Sequence, residues 1–206
     1  MMRRRTLLSA AGAVALLAAC SPDTDGPAAE IDAGDWHGTH LEGGGNTIPD
    51  VTLTDQDGNP YNPAEDPTTK AVVLFFGYTN CPDVCPGIMA DMATAKRRLP
   101  EDLVDDVTLI VVTTDPARDT PEALKEYLLR VDDSFIGLSG DIEDIKAAAM
   151  SVGIDIAEAK QLPSGGYEVD HGSHILGFGE DRKLAVVWNE VPPGELREDY
   201  ERLIAA

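Results

Sequence analysis

An unbroken apolar run, Val72-Val73-Leu74-Phe75-Phe76, ends at Gly77-Tyr78-Thr79-Asn80 and delivers the chain into two cysteines four apart, Cys81 and Cys85, each followed by proline. A run with no polar alternation is a strand covered on both faces, as the central strands of a parallel sheet are. Beyond the pair, Met89, Met92 and Leu99 continue an apolar face at helical spacing, which predicts a helix from Val84 to about Leu99. Pro82 and Pro86 then fall in the first turn, where a missing amide costs little. This reading puts Cys81 at the cap and Cys85 in the first turn, both at the positive end of the helix, where a thiolate is favoured.

The spacing leaves the use of the pair open. Positions i and i+4 of a regular helix hold their Cβ atoms roughly 5–6 Å apart, whereas a disulfide wants about 3.5–4.5 Å. Closing the bond would distort the turn, and a metal bridging two sulfurs tolerates the wider gap. C-x3-C therefore leans toward metal more than a redox C-x2-C does, with a plain disulfide equally at home in an exported protein.

The rest of the chain supplies a setting. Val51-Thr52-Leu53-Thr54, the turn Asp55-Gln56-Asp57-Gly58-Asn59 and Tyr61 read as a hairpin. Ala71–Gly77 leads to the cysteine helix, and Val107–Thr113 is a second buried strand. Thr120 caps a helix with Pro121 at its first position, running to about Arg130. Phe135–Leu138 reads as a short strand, Asp141 caps a helix to about Ser151, and Gly165-Gly166 marks a loop. His174–Gly179 and Leu184–Trp188 form an antiparallel pair, and Pro193–Ile204 a last helix. The order is βαβα, an insert, then ββα. The fold class is α/β, thioredoxin-like, with an N-terminal β-hairpin and an insertion.

Ahead of this domain, Arg3-Arg4-Arg5-Thr6 precedes an apolar stretch from Leu7 to Ala19, the length of a signal h-region. The stretch ends Leu17-Ala18-Ala19-Cys20, which resembles the lipobox of bacterial lipoproteins, in which the cysteine is acylated and becomes the new N-terminus. Arg4-Arg5-Thr6-Leu7-Leu8 also fits a twin-arginine signal. Three divisions are expected: 1–20 a lipoprotein signal peptide, 21–45 a flexible tether rich in Pro, Asp, Ala and Gly, and 46–206 one folded domain. Within the tether, Trp36-His37-Gly38-Thr39-His40-Leu41 fits a short edge strand, and His37 and His40 read as exposed histidines without partner ligands. Removing three arginines and no acid with residues 1–20 takes the net charge from −21 to −24. Such acidity disfavours nucleic acid and anionic lipid head groups as partners.

Three ordered motifs carry a resemblance: Phe75-Phe76-Gly77-Tyr78-Thr79-Asn80-Cys81-Pro82-Asp83-Val84-Cys85-Pro86, Thr114-Asp115-Pro116-Ala117-Arg118-Asp119-Thr120-Pro121-Glu122, and Val169-Asp170-His171. From about Pro49 to Leu203 the chain resembles the Sco/SenC family, copper-binding proteins that help assemble the CuA centre of cytochrome c oxidase. The resemblance implies that Cys81, Cys85 and His171 are ligands for copper, Cu(I) or Cu(II). It further implies that the partner is the CuA-bearing oxidase subunit, and that the protein acts as a monomeric metallochaperone, not an enzyme. With Cys20 lipidated, the domain would be lipid-anchored on the outer face of the bacterial cytoplasmic membrane. The chemistry agrees: soft thiolates select Cu(I), and imidazole suits either oxidation state. Three ligands leave the site open for exchange, where structural zinc wants four. Asp83 is a hard, weaker candidate; Asp170 is placed to orient His171. His174 is a second imidazole where the family commonly has an aromatic or apolar residue. Met89, Met92, Phe178 and Trp188 fit the core, and Arg118 and Asp119 pair or cap locally near the cysteine turn. The alternative reading is a thiol-disulfide oxidoreductase in which Cys81 and Cys85 reduce the CuA-site cysteines of the oxidase subunit. His171 separates the two, since thiol exchange needs only sulfurs.

Overall fold

The computed structural model describes residues 30–32, 34–82, 84–161, 167–169 and 172–206. In chain order the elements are β1 (Glu30–Asp32), β2 (Thr39–Glu42), β3 (Leu53–Asp55), β4 (Pro60–Tyr61), β5 (Ala71–Gly77), α1 (Cys85–Arg97) and β6 (Val107–Thr113). They continue with α2 (Pro121–Val131), β7 (Phe135–Ser139), α3 (Ile142–Ser151), β8 (Lys160–Gln161), β9 (Tyr167–Glu168), β10 (Ile175–Phe178), β11 (Leu184–Trp188) and α4 (Pro193–Ala205).

Nine strands form one sheet in the order β1-β2-β11-β10-β5-β6-β7-β3-β4, while β8 and β9 pair separately. β5, β6 and β7 run parallel, and β10 and β3 flank them antiparallel. Every residue of β5 is buried, which is why its sequence shows no alternation. α1 lies against α4 and β6, and α2 against β7. Thr120 accepts from the Ala123 amide (3.3 Å) and Asp141 from the Glu143 amide (2.9 Å), capping α2 and α3 as their sequences predict. Met89, Met92, Phe178 and Trp188 are all in the core. The indole of Trp188 lies so close over β10 that a Cβ at Gly177 would stand 2.5 Å from it, so that strand position admits only glycine.

The α/β thioredoxin-like fold is present with its N-terminal hairpin and its insertion. The insertion is more than a surface addition, because β7 pairs in register with β6 and then offers its other edge to the hairpin, Thr54 opposite Ser139. The short strand read at Trp36–Leu41 within the stretch 21–45 is present as β2; it pairs with β11, and β1 pairs with β2, so the sheet extends into that stretch. The buried carboxylate of Asp199 on α4 provides the reason: it accepts from the amides of His37 (3.0 Å) and Gly38 (2.9 Å) and from Trp188 Nε1 (2.7 Å). Among the described residues, no helix is long and apolar enough to cross a membrane.

Candidate metal centre

The ends of β5 and β6 are tied by the Thr114 amide, which donates to the Gly77 carbonyl at 2.8 Å. The two loops that follow, one carrying the cysteines and the other beginning at Thr114, therefore leave the sheet side by side. Asp119, with no solvent exposure, fastens them: it accepts from the Thr79 amide (2.9 Å), the Thr79 hydroxyl (2.6 Å) and the Thr113 hydroxyl (2.7 Å). The local roles read for Arg118 and Asp119 are thus present, Arg118 forming an ion pair with Asp115.

Cys81 lies before the helix, not at its cap. Its amide donates to the Tyr78 carbonyl at 3.3 Å in a turn, Val84 is the cap, and Cys85 is the first helical residue, with Pro86 behind it. The separation of the two sulfurs is therefore set by the turn and not by helical spacing. Neither cysteine is in a disulfide; Cys81 is half-buried and Cys85 fully buried, and a hydrogen bond joins their side chains. Burial pushes the Cys85 thiol well up, and the contact with Cys81 adds to this, outweighing the backbone dipoles of Tyr78 and Cys85 that pull it down. The helix end does not offset the effect of burial on Cys85.

His171, Asp170 and Asp83 lie outside the described residues, as do Cys20 and Gly165-Gly166. Flanking residues that are described come close to the cysteine turn. The Val169 amide donates to the Tyr78 hydroxyl at 3.4 Å, three residues from Cys81, and Val169 is buried there. Tyr167 donates its hydroxyl to Asp115 at 2.8 Å and lies 3.8 Å beneath the Arg118 guanidinium. Sequence reasoning missed Tyr78, Tyr167 and Asp115 as parts of this site. Their partners are about 50 to 90 residues away in the chain, and the one available signal was the position of Tyr167 and Val169 just ahead of Asp170-His171.

Among the described residues, no three His, Cys, Asp or Glu side chains gather as a metal site, so His174 does not join the cysteines. Contrary to the expectation of two exposed histidines without partner ligands, His37 meets Glu198 (3.0 Å) and Glu195 (3.6 Å), and His40 is half-buried, stacked on Trp36 at 4.7 Å. Beside the cysteine turn opens a cleft of about 560 Å³ lined by Val84, Ile88, Ser173, Glu190 and Val191, with Val84 45% exposed.

The family model described as SCO1/SenC matches residues 40–205. The chain belongs to the SCO1/SenC family. A relative from Stutzerimonas stutzeri named "Putative copper-binding protein" is 35% identical over 137 residues, 66% of either chain. The chain covers between 30 and 66% of the length of the first curated relatives it matches. Copper-bound Bradyrhizobium japonicum ScoI superposes with a TM-score of 0.67 at 32% identity, covering 78% of this chain and 98% of that one. A SCO1/SenC family lipoprotein from Bacillus anthracis superposes at 0.66 with 25% identity, covering 77% and 95%.

Proposed function

We propose that this SCO1/SenC chain is a copper metallochaperone that holds copper through Cys81, Cys85 and His171 and delivers it to the CuA centre of cytochrome c oxidase. The observation that carries the reading is the contact of two undisulfided thiols at the start of α1, with the segment ahead of Asp170-His171 bonded to Tyr78 in the same turn. Copper in the Bradyrhizobium relative supports it. Copper is cargo here. The half-buried Cys81 is the sulfur an acceptor meets first, while the buried Cys85 retains the metal until the acceptor's own ligand has entered. Loading needs both sulfurs deprotonated, so uptake releases protons and strengthens as pH rises.

The second reading, a thiol-disulfide oxidoreductase acting on the CuA-site cysteines, is favoured by the same hydrogen-bonded, undisulfided thiol pair on a thioredoxin-like fold. One experiment separates the two. The reduced protein is titrated with Cu(I) and Cu(II) beside Cys81→Ser, Cys85→Ser and His171→Ala. One copper per chain is expected, with thiolate-to-copper charge-transfer absorption in the Cu(II) form. Either serine variant abolishes both, and His171→Ala costs the Cu(II) form most. Unchanged copper binding in His171→Ala would discard the three-ligand site, and absence of copper uptake would leave the oxidoreductase.

A further inference from the structure

We propose that Arg118 is a positioning residue for the copper site, setting the distance between the cysteine turn and the segment that runs into His171; this rests on the copper reading above. Its guanidinium is where the pieces meet. Arg118 Nε bonds the Asp115 carboxylate, Nη1 donates to the Tyr167 carbonyl at 3.4 Å, and the plane lies 3.8 Å from the centre of the Tyr167 ring. The Tyr78 ring stands 5.7 Å from the same guanidinium. Tyr167 closes the circuit by donating its hydroxyl to Asp115 at 2.8 Å, and Val169 ties back through its amide to the Tyr78 hydroxyl.

The arrangement is stiff for physical reasons. Asp115 is 4% exposed and the Arg118 side chain 29%, so the ion pair and the stack are largely withdrawn from water, where each is stronger than at the surface. Guanidinium is planar and always charged, which lets it stack and pair at once; an ammonium does not. Tyr78 is three residues before Cys81, and Val169 is two before His171. Two residues of chain reach at most about 7 Å, so a clamp at Val169 acts on the segment that leads into His171 in the sequence. Cu(I) is served by the two soft sulfurs, whereas Cu(II) needs the nitrogen. Loosening the clamp therefore acts on Cu(II) first.

The test uses the full chain in detergent, with Arg118→Met, Tyr167→Phe, His171→Ala and the double variant R118M/H171A. Cu(II) affinity and charge-transfer absorption, Cu(I) affinity by chelator competition, and the urea midpoint are measured for each. Arg118→Met is expected to weaken Cu(II) by about tenfold or more and to move the charge-transfer band, with Cu(I) changed by less than about threefold. Added to His171→Ala it should cost nothing further for Cu(II). Tyr167→Phe, which keeps the stack and loses one hydroxyl, should shift Cu(II) in the same direction by less, and it carries the test should Arg118→Met fail to fold. Equal loss of both oxidation states, full additivity with His171→Ala, or no change in Cu(II) overturns the inference. In those outcomes wild type and His171→Ala can still behave as the copper reading requires. A wild type that takes up no copper removes both.

Discussion

Asp119 shows how a single buried carboxylate organises the cysteine turn. Three donors converge on it from the cysteine loop and the end of β6, and none of its surface meets solvent. Hydrogen bonds to an ionised group are worth more than neutral ones, and removing the acceptor strands the part-buried Thr79 amide and hydroxyl and takes the acceptor from the buried Thr113 hydroxyl. Asp119→Ala should therefore lower stability by about 3 kcal/mol in urea unfolding. It should also speed the reaction of Cys81 with a soluble thiol reagent. An unchanged urea midpoint would show that the carboxylate is dispensable. Cys85 makes the opposite point about sequence reasoning. Its place at a helix start argues for a thiolate, yet full burial raises its thiol, because desolvation of a charge outweighs a partial helix dipole. Burial depends on what α4 and the core place over the helix, and a local motif carries no trace of that.

At the level of elements, the segment ahead of residue 46 shows where local pattern stops. The short strand at Trp36–Leu41 was legible, but its four residues, Thr-His-Leu-Glu, do not say which strand it pairs with. What holds it is remote: β11 supplies the pairing, and Asp199 on α4 anchors the preceding turn through His37 and Gly38. Asp199 also takes Trp188 Nε1 and the Arg202 guanidinium, each at 2.8 Å or less, so one side chain joins α4, β11 and the entry to β2. Asp199→Ala is expected to cost about 3 kcal/mol, since it strands a buried indole N–H and the amides of His37 and Gly38 and breaks a part-buried ion pair with Arg202. Hydrogen exchange should show the amides of His37–Leu41 losing protection more than those of β5. Uniform loss across the sheet would mean that Asp199 supports the whole core and not this docking.

For the whole molecule, the acidic charge and the lipobox-like stretch ending at Cys20 bear on where the domain is expected to work. The Bacillus anthracis member of the family is a lipoprotein, and two acyl chains hold a protein on a membrane where one does so marginally. Wild-type protein should fractionate with membranes and carry a lipid-modified Cys20, and Cys20→Ala should release a soluble domain that still takes up copper. Soluble wild-type protein cleaved before residue 21 and free of lipid would refute the anchor. Much of the architecture was legible in the chain. The bounds of β5 and β6 emerge from apolar runs, the starts of α2 and α3 from Thr120-Pro121 and Asp141, and the hairpin from its turn, because each of these signals lies within a few residues of the structure it encodes. The three motifs named the family for the same reason. Tertiary structure alone decided that β7 belongs to the parallel sheet, that β2 docks on β11, that Cys85 is buried as a thiol, and that Tyr78, Asp115, Arg118 and Tyr167 form one clamp. Each of these rests on contacts between residues distant in the chain, whose free energy comes from burial and geometry that no local pattern records.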